Sequence, residues 1–132
     1  MIIGTLTVVA VPRFATTDAV YDELRLYDDT VSALRFAHRS ATAMQRTVCV
    51  TFAGGHNQLT LTYAATYGSS VCATGLQAPA GTSPYTVTAQ GAALYSGDTT
   101  FNFDRVGRPS VPHTITIGSR QIVIEKESGY VR

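Results

Sequence analysis

The sequence predicts an α+β domain, a long N-terminal helix packed on an antiparallel β-sheet as a roll. Three observations carry that expectation. Between Asp18 and about Arg46 the apolar residues recur at steps of three and four. From Thr47 onward the apolar period becomes two. Turn-forming residues separate the alternating segments, with no repeat or composition shift to mark a second domain. A chain of 132 residues and 14.1 kDa is long enough to bury one core of its own.

The helix is read from Val20, Leu24, Tyr27, Val31, Leu34, His38, Ala41 and Met44, which fall on one face at a 3.6-residue period. No glycine or proline interrupts this stretch, and Thr17 or Asp18 can cap its start. Acidic residues crowd the first half (Asp18, Asp22, Glu23, Asp28, Asp29) and basic ones the second (Arg35, Arg39, Arg46), in the sense that suits the helix dipole. At 1.5 Å per residue the helix is roughly 40 Å long, so something must pack along it. Ala33, Ala37, Ser40 and Ala41 are small enough to let strands come close.

The strands are "TVCVTF", "QLTLTY", "YTVTA", "TFNFD", "TITIG" and "QIVIEKE", all alternating and rich in β-branched and aromatic residues. Between them lie turns at Ala53-Gly54-Gly55-His56-Asn57, Gly68-Ser69-Ser70, Ser96-Gly97-Asp98, Val106-Gly107-Arg108-Pro109 and Gly118-Ser119. Gly107 and Gly129 suit turns that need positive φ. The stretch "ATGLQAPAGTSP" reads as a surface loop.

The opening residues fit the domain least well. Ile2, Ile3, Leu6, Val8, Val9 and Val11 form an apolar run that meets Pro12, then Arg13 and Asp18. The run is shorter than the roughly 20 residues that span a bilayer as a helix. It also lacks the basic region and the small-x-small site of a secretory signal. On its own it has the plain alternative of being a buried strand or an N-terminal core helix.

Composition excludes more than it selects. Charged residues are 14% of the chain and the net charge is +1, so there is no global electrostatic case for nucleic acid or an acidic membrane surface. Cys49 and Cys72 lack Cys-x-x-Cys spacing and read either as two buried thiols or as one disulfide. His38, His56 and His113 are scattered, with no partner at metal-ligand spacing. "YGSSVC" lacks the second glycine of a nucleophile elbow. Asp98, Asn102 and Asp104 lack the loop spacing of an EF-hand. Nothing here argues for an enzyme or a cofactor.

The fragments "VPRF", "YDDTVSALRFAHRSA", "RTVCVTF", "FDRVGRP" and "IEKESGYV" resemble the GspH/FimT family of type IV pilin-like minor pilins and pseudopilins. Within that family they are similar to minor prepilins of the mannose-sensitive haemagglutinin (MSHA) pilus. The resemblance covers both ends of the chain and the helix, while residues 54–98 carry none of it.

It implies that residues 1–13 are the C-terminal part of a membrane-anchor and filament-core helix, followed by a globular pilin domain at 14–132. Gly4 and Pro12 match the spacing of the glycine and the kinking proline in that anchor, with Ile2, Ile3, Leu6, Val8, Val9 and Val11 as its apolar surface. A basic leader, the processing and methylation site and an N-terminal glutamate are then expected upstream of Met1. The implied place is the inner membrane with a periplasmic domain, then a pilus or pseudopilus at the cell surface, which favours a Cys49–Cys72 disulfide.

The implied partners are other pilin or pseudopilin subunits and the inner-membrane assembly machinery. The expected function is non-enzymatic, as an initiating or tip subunit in MSHA-like type IV pilus biogenesis. The alternatives are a minor pseudopilin of type II secretion, or a pilus-tip module binding DNA for uptake. For the last, Arg105, Arg108, Arg120 and Arg132 are the candidate patch. Tyr130 stands where that branch places a basic residue, which with the net charge of +1 weakens the DNA reading, and a solvated face is the simpler account of the four arginines.

Overall fold

The computed structural model describes residues 10–53, 56–91, 93–96 and 100–132, the side chains of residues 10–19 and 53 excepted. In chain order the elements are helix α1 (Ala10–Met44) and strands β1 (Val48–Ala53), β2 (Gln58–Tyr63), β3 (Thr74–Gly75), β4 (Tyr85–Thr88), β5 (Tyr95–Ser96), β6 (Phe101–Phe103), β7 (His113–Ile117) and β8 (Arg120–Ile124). Among the described residues α1 is the only helix, and every strand pairing is antiparallel. The α+β class read from the sequence therefore holds.

Both predicted limits of α1 need correction. The described helix already includes Ala10, so Thr17 and Asp18 lie inside it and not at its start. Its C-terminus is Met44 rather than Arg46. Gln45 turns left-handed at φ 54°, and the Arg46 N–H reaches back to the Ala41 carbonyl at 3.2 Å. That is a Schellman closure made without glycine. With these limits no acidic residue falls in the first turn and no basic residue in the last. The charge asymmetry of α1 therefore adds little through the helix dipole, whose effect fades beyond the end turns.

The packed face of α1 is rotated from the predicted one. Leu26, Thr30, Ala33, Leu34, Ala37 and Ala41 are buried, whereas Val20 is 57% exposed and Leu24, Tyr27, Val31 and His38 flank the core. The small residues set this face. Alanine at 33, 37 and 41 lets the helix axis approach the strands, which bulkier neighbours would hold off.

Strand β1 pairs with β2 on one side, Val50 opposite Leu61, and with β6 on the other, Val50 opposite Phe101. The far edge of β2 carries β4 and then β3, completing a five-stranded sheet. Strands β5, β7 and β8 form a separate three-stranded sheet, so the single predicted sheet is two. Alternation sends Val48, Val50, Leu59, Leu61, Val87, Phe101, Phe103, Ile115, Ile117, Ile122 and Ile124 into one core against α1. Burying each of the larger side chains contributes about 1.5–3 kcal/mol before entropic costs.

The stretch read as a surface loop is partly structural. Thr74–Gly75 pairs with Thr62–Tyr63, Leu76 is buried, and the Leu76 N–H donates to the Leu61 carbonyl at 3.1 Å. On the opposite face of β1 from the core, Cys49 is joined by a disulfide to Cys72, their Cα atoms 6.1 Å apart. The bond fastens the connector after β2 back onto the sheet.

Candidate functional site

Three separated stretches, "ALRFAHRSA", "FDRVGRP" and "SGYV", meet at one junction. The chain after β8 doubles back: Val123 and Arg132 exchange backbone hydrogen bonds of 2.8 and 3.0 Å, and the Glu125 N–H donates to the Tyr130 carbonyl at 2.9 Å. This return lays Ser128–Val131 along α1. There Arg35 donates from Nε and Nη2 to the Val131 carbonyl at 3.4 and 3.3 Å. His38 donates from Nε2 to the Ser128 carbonyl at 3.0 Å, which places the ring proton on Nε2. The same ring stands edge-on to Phe103, centroids 5.8 Å apart.

The turn after β6 supplies the third wall. Asp104 Oδ1 accepts the backbone N–H groups of Val106 and Arg108 at 3.0 and 2.9 Å, and Phe103 bridges to Pro109 beyond the turn. Gly107, at φ 84°, sits so close to the helix that a Cβ there would stand 2.7 Å from Thr42 Cγ2 and 2.8 Å from His38 Nε2. Gly129, at φ 70°, approaches the Gly107 carbonyl, and its Cβ would stand 2.6 Å from His38 Cδ2. Both glycines are needed for conformation and for space.

Beside this junction an open groove of about 630 Å³ runs between α1 and the returning chain. Its lining includes Ser32, Arg35, His38, Arg39, Ser128 and Tyr130, with Val131 in its floor. Tyr130 is 56% exposed. The lining carries two guanidinium groups and an imidazole but no carboxylate, so the groove favours an anionic occupant. Arg35 spends two of its five donors on Val131 and retains three.

The predicted arginine patch is not gathered in the same way. Arg105 donates to the Tyr67 hydroxyl at 3.0 Å and lies over that ring, 5.3 Å from its centroid. Arg108 is exposed on the same turn. Arg120 covers Tyr27 at 5.6 Å, beside the β7–β8 turn. Arg132 pairs with Glu125 at 2.7 Å. Arg105, Arg120 and Arg132 are each engaged on a different partner. Of the candidate anchor residues, Ile2, Ile3, Gly4, Leu6, Val8 and Val9 lie outside the described residues, while Val11 and Pro12 belong to the backbone of α1.

Sequence reasoning missed Arg35, Arg39, Ser128 and Tyr130 as co-lining residues. The signal was present only as two fragments quoted for their resemblance, with nothing local to show that they touch. Asp104 proves to be a turn-former, Asn102 sits on β6 opposite Cys49, and Asp98 lies outside the described residues. Among the described residues no group of three or more His, Cys, Asp or Glu could hold a metal ion. No helix among them is long and apolar enough to cross a membrane.

No family model, curated protein or solved structure matches the chain.

Proposed function

We propose that this chain is a non-enzymatic minor pilin of the GspH/FimT type, close to the MSHA minor prepilin MshC, and serves as an initiating or tip subunit in type IV pilus biogenesis. On this reading it waits in the inner membrane with its domain in the periplasm, then joins a filament of other pilin subunits. The observation that supports the reading is the length of α1 relative to its core contact. The described helix starts at Ala10, and among its described side chains, which begin at Val20, the first in the buried core is Leu26. The intervening helix is about 24 Å long at 1.5 Å per residue. At its described end Val20 and Tyr21 are 57% and 68% exposed. A helix exposing Val20 and Tyr21, preceded in sequence by an apolar run, suits burial against lipid or neighbouring subunits. The Cys49–Cys72 disulfide suits an oxidising compartment.

The test is genetic and morphological. Loss of the gene reduces surface pili, the full-length chain restores them, and residues 14–132 alone do not. Replacing Arg105, Arg108, Arg120 and Arg132 together by alanine leaves piliation intact, because Arg105, Arg120 and Arg132 engage separate partners and Arg108 is exposed. Tight DNA binding at physiological salt, abolished by that quadruple change, together with normal piliation in the deletion strain, would overturn the reading.

A further inference from the structure

We propose that the groove between α1 and the returning C-terminal chain receives the Asp28–Asp29 edge of α1 from a second copy of this chain; the inference rests on the assembly reading above. The argument is charge complementarity along one exposed stripe. Tyr21, Arg25, Asp28, Ser32, Arg35 and Arg39 recur at steps of four and three, and all six are exposed. The later part of the stripe borders the groove that carries Arg35, His38 and Arg39 without a carboxylate. The earlier part borders a second, shallower groove of about 300 Å³, where Asp28 and Asp29 outnumber Arg25. One helix thus presents an anionic face and a cationic face at different heights.

Within a single copy the two faces cannot meet, because they lie on one rigid helix about three turns apart. Between copies they can. If every copy is anchored by the same end of α1, the helices run parallel, and setting Asp28 of one copy beside Arg39 of the next staggers them by about 16 Å. That contact joins unlike surfaces, so it leaves one face of each copy free for a further subunit instead of closing a pair. Ser32, small and exposed between the two faces, leaves room for the approach. The three donors Arg35 retains suit a carboxylate, and the guanidinium fork adds geometric specificity to the charge attraction.

The test is a charge-swap cycle on the full-length chain, using Asp28→Arg and Arg39→Glu. Both side chains are exposed and neither makes a side-chain hydrogen bond among the described residues, so folding is expected to survive, with circular dichroism as the check. Self-association is read by sedimentation in detergent. Each single change is expected to weaken it by at least about tenfold through like-charge opposition, and the double variant is expected to recover most of the loss. Raising salt from about 50 mM to about 500 mM weakens the wild-type association, as screening requires and apolar contact does not. Single variants that associate like the wild type, or a double variant with no recovery, overturn the groove contact. If that happens while the deletion strain still lacks pili, the assembly reading stands and only the docking site falls. Charge-swap recovery with normal piliation in the deletion strain has the opposite meaning.

Discussion

Glu23 and Ser119, 96 residues apart, are joined twice: Glu23 Oε1 accepts the Ser119 backbone N–H at 3.0 Å and its Oγ–H at 2.8 Å. The link fixes the early part of α1 to the β7–β8 turn. Gly118, at φ 59°, brings that turn against the Glu23 carboxylate. The hydrogen bonds from Ser119, with a further contribution from Arg120, hold the Glu23 carboxyl below its ordinary value near 4.5. A depressed carboxylate pKa gives stability that is present above the unfolded value and lost as pH falls through the folded one. Glu23→Gln is therefore expected to melt below wild type near neutral pH, with the difference shrinking below about pH 4. Thermal melts of both proteins across that window check it, and a gap unchanged at low pH would contradict it.

Alanine at Gly129 is expected to destabilise on two counts. A left-handed non-glycine residue costs roughly 1–2 kcal/mol, and crowding the packed junction adds about 1–3 kcal/mol. Gly68 is the control: its φ is 81°, but a Cβ there meets nothing within 4 Å. Gly68→Ala should show only the conformational part. Denaturant unfolding of the two variants measures the difference, and equal losses would mean the Gly129–Gly107–His38 contact is not tight in solution.

Thr30 is the buried polar residue on the packed face of α1, and its hydroxyl meets the Tyr95 hydroxyl at 2.7 Å. Burial pushes the Tyr95 phenol up to about 12, with the Thr30 bond opposing and Asp29 adding to the rise. Tyr95→Phe leaves the Thr30 hydroxyl in the core without that partner, at a cost of about 1–3 kcal/mol. Adding Thr30→Val removes the stranded group, so the double variant should recover part of the loss. A double-mutant cycle reads the coupling, and simple additivity would show that the two hydroxyls do not depend on each other.

Reducing the Cys49–Cys72 bond releases a closed loop whose ends are 23 positions apart. The chain-entropy treatment gives a loss of about 3 kcal/mol, less any strain released. Cys72→Ser should match the reduced wild type in unfolding experiments. Thiol titration of the oxidised, unfolded protein should find no reactive cysteine; two reactive thiols would refute the bond.

Deleting residues 1–13 should change the melting temperature little and improve solubility, since among the described side chains of α1, which begin at Val20, the first in the buried core is Leu26. A large drop in melting temperature would make the opening residues part of the core.

The sequence by itself determined the class of each main element, because the signals are local. A 3.6-residue period across "AVYDELRLYDDTVSALRFAHRSATAM" specifies a helix, and two-residue alternation marks β1, β2, β4, β6, β7 and β8 wherever one face is buried. The glycines at 107 and 129 announced their turns for the same reason. Strands β3 and β5, two residues each, are too short to carry a period and exist only because β2 and β7 offer them an edge. The buried face of α1 also needed the tertiary structure. Hydrophobic size favours Val20 and Leu24, but close approach to the sheet rewards Ala33, Ala37 and Ala41, and Thr30 is admitted because Tyr95 satisfies it. The groove was the least legible feature. His38 and Ser128 lie 90 positions apart, and no periodicity in either segment encodes a contact made only when the chain after β8 folds back along the helix.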